Sequence, residues 1–235
     1  MGLAIITGGS RGLGAALCDL YREQDWKVLE FSRSAPYPYS VELDLSDVSR
    51  AAEVFAQEFE SLAELDVPEV VVVSNASLLG PVGPVEHSPH EDIVVHLHAN
   101  AVSAILLARA FVAAFQDHAC PKTLVNISSG AASRGLAGWS LYCASKAALE
   151  NYVRAVALEQ EDRPHPIRAI SVNPGVMDTV MQEEVRTSRP EDFPEVERYV
   201  RLYREGQLAA PSTIASRVAE LVDSRPRPGG VYSVQ

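Results

Sequence analysis

The chain has 235 residues, long enough for one sizeable domain, and 47% of them are hydrophobic, which supports a full core. A formal net charge of −11 and a pI near 5.0 argue against general binding to nucleic acid or an anionic membrane, while leaving room for a local basic pocket that holds a phosphate. Cys18, Cys120 and Cys143 lack paired spacing and read as reduced thiols of a cytoplasmic protein. No basic segment precedes the first apolar run, and no long apolar stretch is free of polar interruption. Neither a secretory signal nor a membrane span is therefore expected.

The first apolar run, Leu3–Ile6, reads as a buried strand and leads into Thr7-Gly8-Gly9-Ser10-Arg11-Gly12-Leu13-Gly14. A helix is predicted over Gly12–Gln24. A glycine-rich turn between strand and helix lets backbone approach a phosphate, and the free amides at the helix start favour its charge. The Gly-x3-Gly-x-Gly spacing differs from the Gly-x-Gly-x-x-Gly fingerprint of other dinucleotide folds. A second strand, Lys27–Phe31, ends in Ser32-Arg33. Near this place NAD enzymes carry an acid that bonds the ribose hydroxyls; here a serine and then a cation follow the strand. Arg11 adds a cation within the glycine turn, and both charges suit a 2′-phosphate, although Glu30 stands two residues upstream. The third strand, Ser40–Leu43, precedes Asp44-Leu45, where Asp44 by itself reads equally as a turn residue or a cap.

Helix Asp47–Glu64 and strand Val70–Ser74 follow, then Asn75-Ala76-Ser77. A long helix is predicted over Glu91–Gln116, with Asn100, a poor mid-helix residue, inside it. His87, His90, His96, His98 and His118 lie in this region. His96 and His98 diverge on a helix and no cysteine stands at ligand spacing, so these histidines read as solvent-facing and no metal is expected. Strand Thr123–Ile127 ends in Ser128-Ser129-Gly130. In helix Leu141–Gln160, Tyr142 and Lys146 are four apart and share one face. A free tyrosine titrates near ~10; a nearby cation favours phenolate and lowers that value towards neutral pH. Strand Arg168–Val172 is followed by a charged, proline-containing stretch from Pro174 to Pro211, read as short helices over a substrate. Helix Ser212–Asp223 and strand Val231–Val234 complete the chain. The alternation predicts one α/β domain over 1–235, a doubly wound, seven-stranded parallel sheet with helices on both faces.

In this order, Thr7-Gly8-x3-Gly12-x-Gly14, Asp44-Leu45, Ser74-Asn75-Ala76, Asn100, Ser129, Tyr142-x3-Lys146 and Asn173-Pro174-Gly175 resemble the short-chain dehydrogenase/reductase family over nearly the whole chain. Ser128-Ser129-Gly130-Ala131-Ala132, Gly138-Trp139-Ser140-Leu141-Tyr142-Cys143, Asp178-Thr179-x-Met181-Gln182 and Leu79-Gly80-Pro81-Val82-Gly83-Pro84 are similar to its sepiapterin reductase and benzil reductase branch. One departure is Ser77, where the family usually has glycine.

The resemblance implies a Rossmann-like fold and carbonyl–alcohol redox chemistry with a nicotinamide cofactor, which Arg11 and Arg33 direct to NADP(H). Tyr142 is expected to protonate the carbonyl oxygen, Ser129 to hold it, Lys146 to hold the nicotinamide ribose and lower the Tyr142 pKa, and Asn100 to bind water in a proton relay. Cofactor contacts are expected from Gly8, Ser10, Arg11, Gly12, Leu13, Gly14, Arg33, Asp44, Leu45, Asn75, Ala76, Tyr142, Lys146, Pro174, Gly175, Val176 and Thr179. Leu79, Ser129, Leu136, Trp139, Met177 and Met181 are expected to bind substrate, a small carbonyl compound such as a vicinal diketone or a pterin side-chain ketone. A mobile cover over about 178–207 and a homodimer or homotetramer paired through the helices of Asn100 and Tyr142 complete these expectations. Two alternatives stay open: an NAD-linked alcohol dehydrogenase and a catalytically idle dinucleotide-binding regulator.

Overall fold

Apolar runs that stay apolar at every position need cover on both faces, as in a parallel sheet sandwiched between helices. The computed structural model, which describes all residues Met1–Gln235, has this arrangement. Strands β1 (Leu3–Thr7), β2 (Lys27–Ser32), β3 (Ser40–Glu42), β4 (Val70–Ser74), β5 (Lys122–Ile127), β6 (Arg168–Asn173) and β7 (Val231–Ser233) form one sheet in the order β3-β2-β1-β4-β5-β6-β7. Every neighbouring pair is parallel.

The period of two along each strand sorts its side chains between two cores. Leu3, Ile5, Val70 and Val72 face one side. There they meet α2 (Val48–Ala63) through Phe55 and Phe59, and two further helices introduced below through Leu107, Phe111, Val153 and Val156. Ala4, Ile6, Val71 and Val73 face the other side, against Leu17 and Tyr21 of α1 (Gly12–Glu23) and residues Ile214 and Val218 of the last helix. A third cluster lies apart from both, around Trp139, Tyr142, Phe193 and Tyr199.

Strand and helix bounds match those predicted to within a residue or two, with one exception. The single helix predicted over Glu91–Gln116 is three pieces: α3 (His90–Leu97), a π-turn at His98–Val102, and α4 (Ser103–Phe115). The wider turn contains Asn100, whose side chain is bonded to a neighbouring loop, and such turns are frequent at functional sites. The run His90–Phe115 is long and apolar enough to cross a membrane by length and composition. The polar interruptions at His96, His98, Asn100 and Ser103 had argued otherwise. In this fold Leu107, Phe111 and Phe115 of that run pack against α2. The remaining helices are α5 (Ser140–Glu159), α6 (Val180–Arg186), α7 (Val196–Arg204) and α8 (Pro211–Asp223). The order of strands reverses between β1 and β4, and the crevice beyond the carboxyl ends of such a pair is where α/β sheets take ligands.

Candidate active site

A cleft of about 850 Å³ opens at that point of reversal. Its floor is the turn after β1. Gly8 and Gly12 adopt φ of +70° and +57°, a region that L side chains rarely enter. A Cβ on Gly14 would collide with the Gly8 carbonyl. The turn is sewn to the end of β4. Thr7 Oγ1 accepts from the Asn75 amide at 3.0 Å and the Ala76 amide at 3.2 Å, while Asn75 Nδ2 donates to Thr7 O at 2.9 Å. No side chain caps the start of α1 and no acid lies in its first turn, so its free amides face the cleft.

Arg11 and Arg33 are exposed and line this end of the cleft, with Ser32, Ser34, Asp44, Leu45 and Ser46. Glu30 does not. Its carboxylate is fully buried, accepting from the Gly9 amide at 3.1 Å and from Ser32 Oγ at 3.0 Å, and so holds the glycine turn onto β2. Asp44 accepts from the Ser46 amide and hydroxyl at 2.9 and 2.8 Å. The backbone amide contributes most to holding its carboxyl below the usual range, and the Arg33 charge assists.

Ser129 stands two residues beyond the end of β5, and its hydroxyl accepts from the Ala131 amide at 3.2 Å. Tyr142 and Lys146 follow one turn apart on α5, both buried and both lining the cleft. Lys146 Nζ donates to Ile127 O at 2.7 Å and lies 5.6 Å from the Tyr142 ring centroid. Burial brings the Lys146 ammonium down to about 8. The Tyr142 phenol is pushed up to about 12 by burial, with a hydrogen bond to Ser129 working in the opposite direction. The expected lowering of Tyr142 by Lys146 does not appear: desolvation dominates, and the phenol is protonated at neutral pH.

Asn100 is buried behind the cleft rather than on its wall. Its Oδ1 accepts from the Leu78 amide and its Nδ2 donates to Leu78 O, both at 2.7 Å, with the second N–H directed at His96 Nε2, 3.1 Å away. Both amide hydrogens are used, leaving one acceptor site on Oδ1 for a water. Of the expected substrate residues, Leu79, Ser129, Trp139, Met177 and Met181 line the cleft. Leu136 instead belongs to the apolar cluster around Trp139. The expected cofactor residues Gly8, Ser10, Gly12, Leu13, Asn75, Ala76, Pro174, Gly175, Val176 and Thr179 all border the cleft, while Gly14 sits behind the turn.

Sequence reasoning missed several residues. Gln182, Val185 and Tyr199, from α6 and α7, form part of the wall. Tyr199 belongs to the Val196/Tyr199/Val200 spacing of an amphipathic helix, a signal the charges around it obscured. Phe193 stacks on Trp139 with centroids 4.3 Å apart and an interplanar angle of 2°. The stretch after β6 thus carries a buried face and is less of an excursion than its charges and prolines implied. His96 was read as solvent-facing but is fully buried against α5 and the loop after β4. His98 bonds Ser46 O, whereas His87 and His90 are exposed. No group of three or more His, Cys, Asp or Glu converges.

The cleft fits a dinucleotide on its own features: a glycine cradle that a Cβ would fill, uncapped helix amides, and two cations. The Ser77 hydroxyl, at the position usually held by glycine, is buried there without a protein partner. Fold and site together define a dinucleotide-binding oxidoreductase. The short-chain dehydrogenase family model matches residues 2–190, and the chain belongs to that family. It is 33% identical over 240 residues to a benzil reductase ((S)-benzoin forming) of Bacillus subtilis (strain 168), covering 100% of this chain and 99% of the relative. It is 27% identical to the sepiapterin reductase of Bos taurus, over 94% of this chain and 90% of the relative. The crystal structure of the KRED1-Pglu enzyme superposes with a TM-score of 0.84 at 26% identity, covering 98% of this chain and 100% of that one.

Proposed function

We propose that this chain is an NADPH-dependent carbonyl reductase acting on an apolar or aromatic ketone, of the vicinal diketone or pterin side-chain kind. The observation that carries this reading is one cleft holding the glycine turn at one end and Ser129, Tyr142 and Lys146 at the other, beneath an aromatic wall. When bound, the nicotinamide supplies the hydride that reduces the carbonyl carbon. Ser129 and Tyr142 hold the carbonyl oxygen, and the Tyr142 phenol, kept protonated by burial, donates its proton as that oxygen gains charge. Lys146, with its ammonium at the inner end of the cleft, suits hydrogen bonding to a ribose hydroxyl. Asn100 holds Leu78 in place from behind.

Preference for NADPH rests on charge. Arg11 and Arg33 flank the region beyond β2, the acid of that strand, Glu30, is turned away and occupied, and Asp44 at the edge of the same region is bonded to Ser46. A 2′-phosphate meets cations there, while the residues that end β2, Ser32 and Arg33, offer the ribose hydroxyls of NADH no carboxylate. Three unpaired cysteines suit a reducing cytoplasm. The test is a cofactor-consumption screen with vicinal diketones, sepiapterin-like pterins, quinones and simple aldehydes, run with NADPH and NADH. Turnover of a diketone or pterin with NADPH is expected. Equal efficiency with both cofactors refutes the assigned preference, and no turnover across the panel leaves an idle dinucleotide binder. Arg33→Ala should raise the KM for NADPH far more than that for NADH.

A further inference from the structure

His96 makes contacts that its place on a helix surface would not suggest. The ring is fully buried, and it borders the cleft. Nδ1 lies 2.6 Å from the Gly80 carbonyl oxygen, so Nδ1 carries the hydrogen and donates it. Nε2 is then an acceptor. It faces Asn100 Nδ2 at 3.1 Å and the Ser145 hydroxyl at 3.3 Å. One neutral imidazole thereby joins three pieces of the site. Gly80 belongs to the loop that carries Leu78 and the wall residue Leu79. Asn100 holds Leu78 at both its amide and its carbonyl. Ser145 sits on α5 between Tyr142 and Lys146, and its single hydroxyl hydrogen serves either Nε2 or Tyr142 O, 3.0 Å away.

We propose that His96 is a positioning residue for ketone reduction: as the neutral Nδ1–H tautomer it fixes the Leu78–Gly80 wall against the helix of Tyr142 and Lys146, and its protonation releases that wall. Protonation places an N–H at Nε2, where the Ser145 oxygen and the Leu141 carbonyl can accept it, while the Asn100 N–H that Nε2 had accepted now faces a donor. The Asn100 amide then turns or withdraws, and Leu78 loses the partners that hold it. Lys146 on α5 is the charged group that acts on the ring, Tyr142 on α5 and Asp92 on its own helix border the same cleft, and the loop Ser77–Pro81 brings no titratable group. Burial holds the imidazole below the ordinary histidine range, opposed by hydrogen bonds to Gly80 and Leu141 and aided by the Lys146 charge. The wall is therefore fixed at neutral pH and loosens in acid. Tyr142 cannot produce this limb, because an acid that donates a proton loses activity as pH rises.

The kinetic part of the test rests on the proposed reductase activity; the spectroscopic part does not. In the ligand-free protein, ¹⁵N–¹H correlation of histidine rings at neutral pH should find His96 as the Nδ1–H tautomer. An imidazolium or an Nε2–H tautomer there overturns the proposal even if no ketone is turned over. In kinetics with NADPH, His96→Phe keeps the volume and removes both nitrogens. It should raise the ketone KM by about tenfold, the scale of a lost buried hydrogen bond, with NADPH affinity by fluorescence titration within about twofold of wild type. His96→Gln restores an acceptor near the Nε2 position without a titrating ring. It should recover most of the KM and abolish the acid limb of kcat/KM. An unchanged ketone KM in His96→Phe overturns the proposal, as does an acid limb that persists in His96→Gln. A loss in His96→Phe that lowers NADPH affinity and ketone affinity alike, with no recovery in His96→Gln, also overturns it, since it marks a residue that only packs.

Discussion

The two ionisable groups of the site are both pushed towards their neutral forms by burial, and each makes a testable residue-scale claim. Tyr142→Phe removes the proton donor and keeps the ring against Trp139, which lies 5.7 Å away edge-on. Reduction should fall by the ~10²–10⁴-fold typical of a lost general acid, with NADPH binding still measurable by fluorescence. Retention of more than about a tenth of the rate contradicts that assignment. Lys146 gives a pH signature in the ligand-free protein. Its value of about 8 lies below the ordinary 10.5, so its contribution is a penalty, full below pH 8. The penalty is relieved between pH 8 and 10.5, where the folded state sheds a proton the unfolded chain keeps. Lys146→Met should therefore be more stable than wild type near pH 7, by up to ~3 kcal/mol less ~1 for the lost bond to Ile127 O. The gap should close as pH approaches 10. Cys18 and Tyr142, raised to about 12, pull stability down above pH 9 in both proteins and cancel in the comparison. Denaturant melts of both proteins from pH 7 to 10 measure it; a gap that does not change with pH refutes the buried-ammonium account.

At the scale of elements, the stretch holding α6 and α7 is docked by one contact more than any other. Phe193 is fully buried and stacked on Trp139, with Tyr199 completing the cluster. Gly138, at φ +86°, lets the Asp192 carbonyl approach where a Cβ would collide, so the preceding loop is shaped to receive this segment. Within it, Gln182 Nε2 bonds Tyr199 O and ties the two helices together. If the segment is a substrate cover, Phe193→Ala should undock it. Truncating a buried phenylalanine typically costs ~3–5 kcal/mol. Hydrogen exchange across Val180–Arg204 should quicken, and the ketone KM should rise while NADPH affinity holds. Wild-type protein should also gain protection there on adding NADPH and a diketone. No change in this stretch while Tyr142 and its neighbours become protected would make it only surface and remove Met181 from the substrate wall.

For the whole molecule, assembly is the open expectation, and the alanines divide in an informative way. Ala108 on α4 is buried in the chain's own core, whereas Ala147 and Ala155 on α5 are exposed, with Asn151 between them. At spacings of four these three residues share one face of α5, opposite the buried Leu149, Val153 and Val156, and Leu158 beyond them is 66% exposed. Pairing through that face predicts a homodimer or homotetramer by light scattering at micromolar concentration, and Ala155→Glu should shift it towards monomer. A wild-type monomer refutes the pairing.

The seven strands, the glycine turn and the Tyr142/Lys146 face were legible in the sequence because each is local. Period two, a run of glycines before a helix, and a spacing of four are set by residues close along the chain. The π-turn, the burial of His96, the inward aim of Glu30 and the place of Phe193 and Tyr199 on the site were not legible. Each depends on partners far along the chain: His96 on Gly80 and Ser145, Glu30 on Gly9, Phe193 on Trp139. The direction of the Tyr142 shift belongs with them. Sequence supplied the neighbouring cation and hence an expected fall. Only the packed structure could decide the rise, because desolvation is the sum of what every surrounding element excludes.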